Sequence, residues 1–244
     1  MSISVENKIA LVTGANRGIG KAIVESFIEH GAKKVYLAVR NPDSTKALEE
    51  EFGAKVVTLQ ADISDADSVK QLAEQAADVD IVVNNAGVLS VSSTLGDDAE
   101  SKLARELNVN VFGLLRVANA FAEILEKNKG ALVQLNSVAS LKSFPNLPTY
   151  SASKAASYSL TQGLKSELGK KGVCVLSVHP GPIATDMADQ AGMEESAPVS
   201  AVSGGIVSAL AAGDFHLFPD DAAKQFEAAY RSFSDEIVMS GISE

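Results

Sequence analysis

Short apolar runs recur along the chain, separated by longer stretches whose apolar positions fall three and four residues apart. The runs are KIALVT (8–13), KVYLAV (34–39), KVVTLQ (55–60), DIVVNN (80–85), ALVQLN (131–136), VCVLSV (173–178) and FHLF (215–218). Most are apolar at consecutive positions and rich in β-branched residues, as expected of strands covered on both faces. The segments between them carry helical spacing, Ile23, Phe27 and Ile28 being one example. This alternation predicts one α/β domain over residues 1–244. Its fold would be doubly wound (Rossmann), a mostly parallel seven-stranded sheet with helices on both faces.

Two segments break the rhythm. Residues 98–128 read as one long helix, ending before Asn128, Lys129 and Gly130. Residues 181–200, GPIATDMADQAGMEESAPVS, contain no clear strand and read as a mobile flap beside a site, an ordinary surface loop being the alternative.

Composition narrows the function classes. A net charge of −10, spread along the chain, argues against a nucleic-acid partner or an anionic membrane surface. The single cysteine, Cys174, lies within GVCVLSV and is expected to be a buried, inert thiol. MSISVENK has no signal-peptide pattern, and no apolar run approaches the roughly 18–20 residues that cross a bilayer, so a cytoplasmic setting is expected. His30, His179 and His216 share no metal-ligand spacing, so no metal is expected, and His179 reads as structural.

The first strand runs into TGANRGIG, where Gly14, Gly18 and Gly20 precede an amphipathic helix. Such glycines allow a tight turn and let the backbone approach a diphosphate at a helix N-terminus. An NAD-type site would place an acid at the end of the second strand, to hold the adenosine ribose. Here Val39 and Arg40 stand there instead, and the first acid is Asp43. Arg40 can clasp a 2′-phosphate, with Arg17 approaching from the glycine loop. Two cations and no acid favour NADP(H), although two unrelated surface arginines would look the same. Asp62 is placed to meet an adenine edge or to cap the following helix. NNAG (84–87) ends the fourth strand at the sheet edge where ligands of such folds bind.

YSASK sets Tyr150 and Lys154 four residues apart, on one helix face. The ammonium is expected to lower the phenol pKa towards the working range. Ser137 closes the fifth strand, where its hydroxyl can donate to a substrate carbonyl.

In order and spacing, TGANRGIG, NNAG, NVNVFG, NSVAS, YSASK and HPGPIATDM resemble the short-chain dehydrogenase/reductase family over roughly residues 5–190. The resemblance implies a catalytic set of Asn110, Ser137, Tyr150 and Lys154, with Asn110 bending the long helix and holding a water linked to Lys154. It implies that Ile183 and Thr185 contact the nicotinamide, in a turn shaped by Pro180 and Gly181. The nucleotide set expected is Gly14, Asn16, Arg17, Gly18, Ile19, Gly20, Arg40, Asp62, Ile63, Asn85, Ala86, Gly87, Tyr150, Lys154, Pro180, Gly181, Ile183 and Thr185.

The implied activity is NADPH-dependent reduction of a ketone or aldehyde. The alternatives are an NAD-linked secondary-alcohol dehydrogenase and a non-catalytic NADP(H)-sensing regulator. Met187 and Met193 suit an adaptable apolar lid over a small carbonyl or alcohol substrate, ordinary loop filling being an equal reading.

The sequence departs from the family pattern at Asn136, where a serine is usual, and in its C-terminal segment. Residues 220–244 read as a helix and tail, with Phe226, Ala229, Tyr230 and Phe233 covering the sheet edge. That departure puts the family's tetramer contact in doubt. A homodimer through the helices of Asn110 and Tyr150 is expected, a homotetramer being the alternative.

Overall fold

In the computed structural model, which describes residues 1–193 and 195–239, each apolar run becomes a strand. These are β1 (Ile9–Thr13), β2 (Lys34–Val39), β3 (Val56–Gln60), β4 (Ile81–Asn84), β5 (Ala131–Leu135), β6 (Cys174–Val178) and β7 (His216–Leu217). They form one sheet in the order β3-β2-β1-β4-β5-β6-β7. Every pairing is parallel, so the sheet is wholly rather than mostly parallel.

Alternation within the strands supplies two cores. Val12, Leu37, Val83, Val133 and Leu176 pack with Ile23 and Phe27 of α1 (Gly18–Glu29). Short α2 (Lys46–Phe52) adds Leu48 to this side. On the other face, Leu11, Val82, Leu132 and Val175 meet Leu72 of α3 (Ala66–Gln75). Chain reversal between β1 and β4 opens the crevice at their carboxyl ends, the ligand position of doubly wound sheets.

The expected helix over 98–128 is one helical path with a change of pitch. It comprises α4 (Ala99–Glu106), a π-helical turn (Leu107–Phe112) and α5 (Gly113–Asn128). Asn110 sits in that turn, where its amide is committed to the backbone of Val88 rather than to its own helix. Widened turns of this kind commonly mark functional positions. Phe121 and Leu125 of α5 complete the second core, together with Tyr158 and Leu168 of α6 (Pro148–Lys170).

The 181–200 segment is more ordered than a bare loop. It contains α7 (Asp186–Gln190), capped by Thr185, and an isolated bridge between Ile183 and Ala197. Its last residues open α8 (Val199–Ala212), whose Ile206 and Leu210 belong to the first core. Beyond β7, α9 (Asp221–Phe233) covers the edge as expected through Phe226 and Tyr230, which reach Phe144 and Tyr158. Ala229 and Phe233 depart from that expectation, both being exposed, Phe233 at 52%. The last five residues of the expected tail, 240–244, lie outside the described residues.

Cys174 is buried in β6, and burial pushes its thiol pKa up, which fits an inert side chain. Among the described residues no helix is long and apolar enough to cross a membrane, and no group of three or more metal-ligating side chains occurs.

His179 is a structural residue of the core. Its Nε2 lies 2.7 Å from Ser177 Oγ and its Nδ1 lies 3.1 Å from Ser140 Oγ. Burial holds its pKa down to about 3, and that of His216 down to about 4, against an ordinary value of 6.5. Both rings are therefore neutral when folded but take up protons on unfolding once the pH drops below 6.5. Stability should fall with pH from about 6.5 towards 4, by up to about 3 kcal/mol for either ring. Urea unfolding across this range checks the slope, which His179→Gln should flatten.

Candidate active site

At the carboxyl ends of β1, β4 and β5 lies a cavity of about 770 Å³. Every residue of the expected nucleotide set lines it, as do Ser137, Met187 and Met193. Asn110 does not.

The cavity floor is built by close approach. Gly14 ends β1 at φ 66°, a left-handed conformation that favours glycine. A Cβ on Gly20 would stand 2.2 Å from the Gly14 carbonyl oxygen and 2.6 Å from Asn85 Nδ2. Gly20→Ala must therefore push the loop off the sheet edge, costing about 1–3 kcal/mol of stability and weakening nucleotide binding. Thermal unfolding and a binding titration of the same variant check both. The Asn85 amide is spent on the scaffold, donating to the Thr13 carbonyl at 2.8 Å. Thr13, unremarked in the sequence, accepts the N–H groups of Asn85 and Ala86 on its hydroxyl and so locks NNAG to β1.

Around the outer half, Asp62 accepts two hydrogen bonds from Ser64, from its N–H at 2.9 Å and its hydroxyl at 2.7 Å. Those bonds hold the carboxyl below the usual range against its partial burial, with smaller help from Arg40 and Arg116. The cap of α3 is Asp65, not Asp62. Arg40 is exposed where β2 ends. Arg17 reaches the other way, its Nη1 lying 2.6 Å from the Asp186 carboxylate at the start of α7. The two arginines share the cavity wall, but Arg17 is paired with the flap.

The inner half holds Ser137, Tyr150 and Lys154. Ser137 follows β5 in extended backbone, and its Oγ accepts the Ala139 N–H while donating weakly to the Pro180 carbonyl at 3.3 Å. Tyr150 and Lys154 lie on α6, both buried. Lys154 Nζ donates to the Leu135 carbonyl at 2.7 Å and sits 5.7 Å from the centre of the Tyr150 ring. Burial brings the Lys154 pKa down to about 8. It pushes Tyr150 up to about 12, against a hydrogen bond with Ser137, while the negative Glu106 adds to the rise. The expected lowering of the phenol by Lys154 is thus absent from this geometry. Burial dominates, and the ammonium is turned to a carbonyl.

Asn110 bolts the site together. Its Oδ1 accepts the Val88 N–H at 2.9 Å, and its Nδ2 donates to Val88 O and Ser153 Oγ, each at 2.9 Å. The Asn110 side chain is thus engaged by Val88 and Ser153. Glu106, one helical turn earlier, was not singled out by sequence because a glutamate in an amphipathic helix reads as solvated. It is fully buried, accepts the Ser90 N–H at 2.6 Å, and leaves its second oxygen without a partner among the described residues. Glu106 and Asn110 together hold the 88–90 segment, whose Leu89 packs against the cluster of Leu147 and Tyr150.

Asn136 adjusts the scaffold behind Ser137, accepting from Ser157 Oγ at 2.8 Å and donating to Ser177 Oγ at 2.9 Å. Asp220 was also missed. One oxygen caps α9 at the Ala223 N–H, and the other accepts the Gly181 N–H at 2.8 Å. This ties the turn of Pro180 and Gly181 to the C-terminal helix. Ile183 is held by the bridge to Ala197, and Thr185 caps α7.

Comparison with known proteins agrees with this arrangement. The family model described as short chain dehydrogenase matches residues 8–196. An uncharacterized oxidoreductase of Staphylococcus saprophyticus is 33% identical over 193 residues, covering 76% of this chain and 82% of that protein. A 3-oxoacyl-[acyl-carrier-protein] reductase of Synechocystis is 33% identical over 195 residues, covering 77% and 78%. Among solved structures, a short chain dehydrogenase of Burkholderia cenocepacia in complex with NADP superposes with a TM-score of 0.87 at 30% identity, covering 96% of this chain and 99% of that one. With a family model matching residues 8–196 and a relative 33% identical over 193 residues, the chain belongs to the short-chain dehydrogenase/reductase family of oxidoreductases.

Proposed function

We propose that the protein reduces a ketone or aldehyde to an alcohol with NADPH, Tyr150 being the proton donor. The observation that carries this reading is a buried Tyr150, its pKa near 12, facing the same cavity as Ser137 and Lys154. At neutral pH such a phenol keeps its proton, which is the state a carbonyl reduction needs.

The residues fit a dinucleotide. The space between Gly14 and Gly20 admits no Cβ, and the N-terminus of α1 faces the cavity. Arg40 replaces the acid that would hold a ribose 2′-hydroxyl, which supports NADP(H) over NAD(H). When bound, the reduced nicotinamide supplies the hydride that the carbonyl carbon accepts.

This chain's residues do the rest. Ser137 releases the Pro180 carbonyl and donates to the substrate oxygen, orienting the carbonyl. Tyr150 gives its proton to that oxygen as negative charge develops there. Lys154, charged below its pKa of about 8, would turn from the Leu135 carbonyl to the nicotinamide ribose hydroxyls, and from there its charge stabilises the resulting phenolate. Asn110 and Glu106 act through position, fixing the 88–90 segment beside the tyrosine. The reading extends to a single-domain cytoplasmic homodimer along α4, α5 and α6, which Phe112, 50% exposed on that helical path, supports.

Incubating the purified protein with NADPH and a panel of aliphatic, aryl and β-keto carbonyls tests the activity. Alcohol formed in step with NADPH consumed is expected. Tight NADPH binding without turnover of any carbonyl would point instead to a sensor.

A further inference from the structure

We infer that the substrate is a neutral, largely apolar carbonyl compound, one that carries no carboxylate or phosphate near the reacting group. The inference rests on the proposed reduction and concerns what the inner half of the cavity accepts.

Beyond Ser137 and Tyr150 the wall is formed by Leu89, Val138, Phe144, Leu147, Met187 and Met193. Leu89, Phe144 and Met193 pack around Leu147 and Tyr150, so this surface is one apolar cluster that ends on the catalytic phenol. Among the described residues, the cationic side chains lining the cavity are Arg17, Arg40 and Lys154. Arg17 is paired with Asp186, Arg40 stands at the far end beside Asp62, and Lys154 donates to Leu135 O beneath Tyr150. Among the described residues no further cation lines the apolar end; exposed Lys142, outside the lining, places its Nζ 5.5 Å from the centre of the Phe144 ring. His179 and His216 are buried in the core and held neutral at physiological pH.

A substrate anion placed there would lose its water without gaining a partner, which is far costlier than burying an alkyl or aryl group. The chain's net charge of −10 adds the wrong sign. Delivery of the substrate on a strongly acidic carrier is opposed by the same charges. This sets the chain apart from what the name of its Synechocystis relative states. Two flexible thioethers in the wall suit apolar groups of varied shape rather than one fixed outline.

The test compares pairs that share a carbonyl and differ by one charge, such as a 2-oxo or 3-oxo carboxylate and its methyl ester. With NADPH saturating, kcat/KM should favour the ester by about 100-fold or more. Met193→Arg, which adds a cation to the apolar wall, should raise kcat/KM for the carboxylate by about tenfold or more. Its KM for NADPH should stay unchanged, which shows that the fold and nucleotide site persist. Equal use of acid and ester by the unaltered protein would overturn the inference while leaving carbonyl reduction standing. Failure to reduce either member, or any neutral ketone, would remove the proposed reaction itself and the inference with it.

Discussion

Tyr150→Phe should lower kcat for carbonyl reduction by about 100- to 10,000-fold, the usual contribution of a positioned proton donor. The ring and its packing against Leu147 and Leu89 are retained, so the NADPH dissociation constant should not move. Single-turnover kinetics with a fluorescence titration on the same preparation separate these effects. The unaltered enzyme should also show asymmetric pH behaviour. With the phenol pKa raised to about 12 by burial, the acid form is present throughout the neutral range. Reduction should therefore vary little with pH there, whereas alcohol oxidation, which needs the phenolate, should accelerate as pH rises. Substantial turnover by Tyr150→Phe would remove Tyr150 from proton transfer.

The second large effect concerns the outer half of the cavity. Arg40→Ala should weaken NADPH binding by about 10- to 100-fold, the worth of a charge-assisted hydrogen bond to phosphate, while barely changing NADH. Arg17 enters with a complication, because it is already paired with Asp186. Both side chains of that pair are about two-thirds exposed, 66% and 65%, so it contributes little. A phosphate can therefore outcompete it. Asp186→Asn should then leave NADPH binding unchanged or tighten it a few-fold, and weaker binding would show that the pair itself supports the site. Parallel titrations of both variants with NADPH and NADH provide the comparison.

Most of the architecture was legible because the pattern that makes the strands is strong and local. Most strands are marked by a β-branched run with glycine, proline or polar residues beside it, FHLF at β7 being the exception, and the boundaries shift by only a residue or two. Motif spacing also brought Gly14, Gly20, Ser137, Tyr150 and Lys154 to one cavity. What the pattern missed depends on contacts between distant segments. The π-helical turn at Leu107–Phe112 is set by Asn110 meeting Val88, a pairing that helical periodicity does not record. Glu106 and Asp220 are charged residues in segments that read as solvated, and both proved buried tethers. The direction of the Tyr150 shift follows from how deeply α6 is buried, which the four-residue spacing to Lys154 does not reveal. Arg17 turns to the flap because Asp186 begins a short helix there, an element the sequence pattern of 181–200 does not mark.

Initial rates with one neutral ketone and either nucleotide test carbonyl reduction with NADPH at this site. The ratio of kcat/KM for NADPH to that for NADH should be at least about tenfold in favour of NADPH, and it should collapse towards unity in Arg40→Ala. A clear preference for NADH, unaltered by the loss of Arg40, would contradict the account.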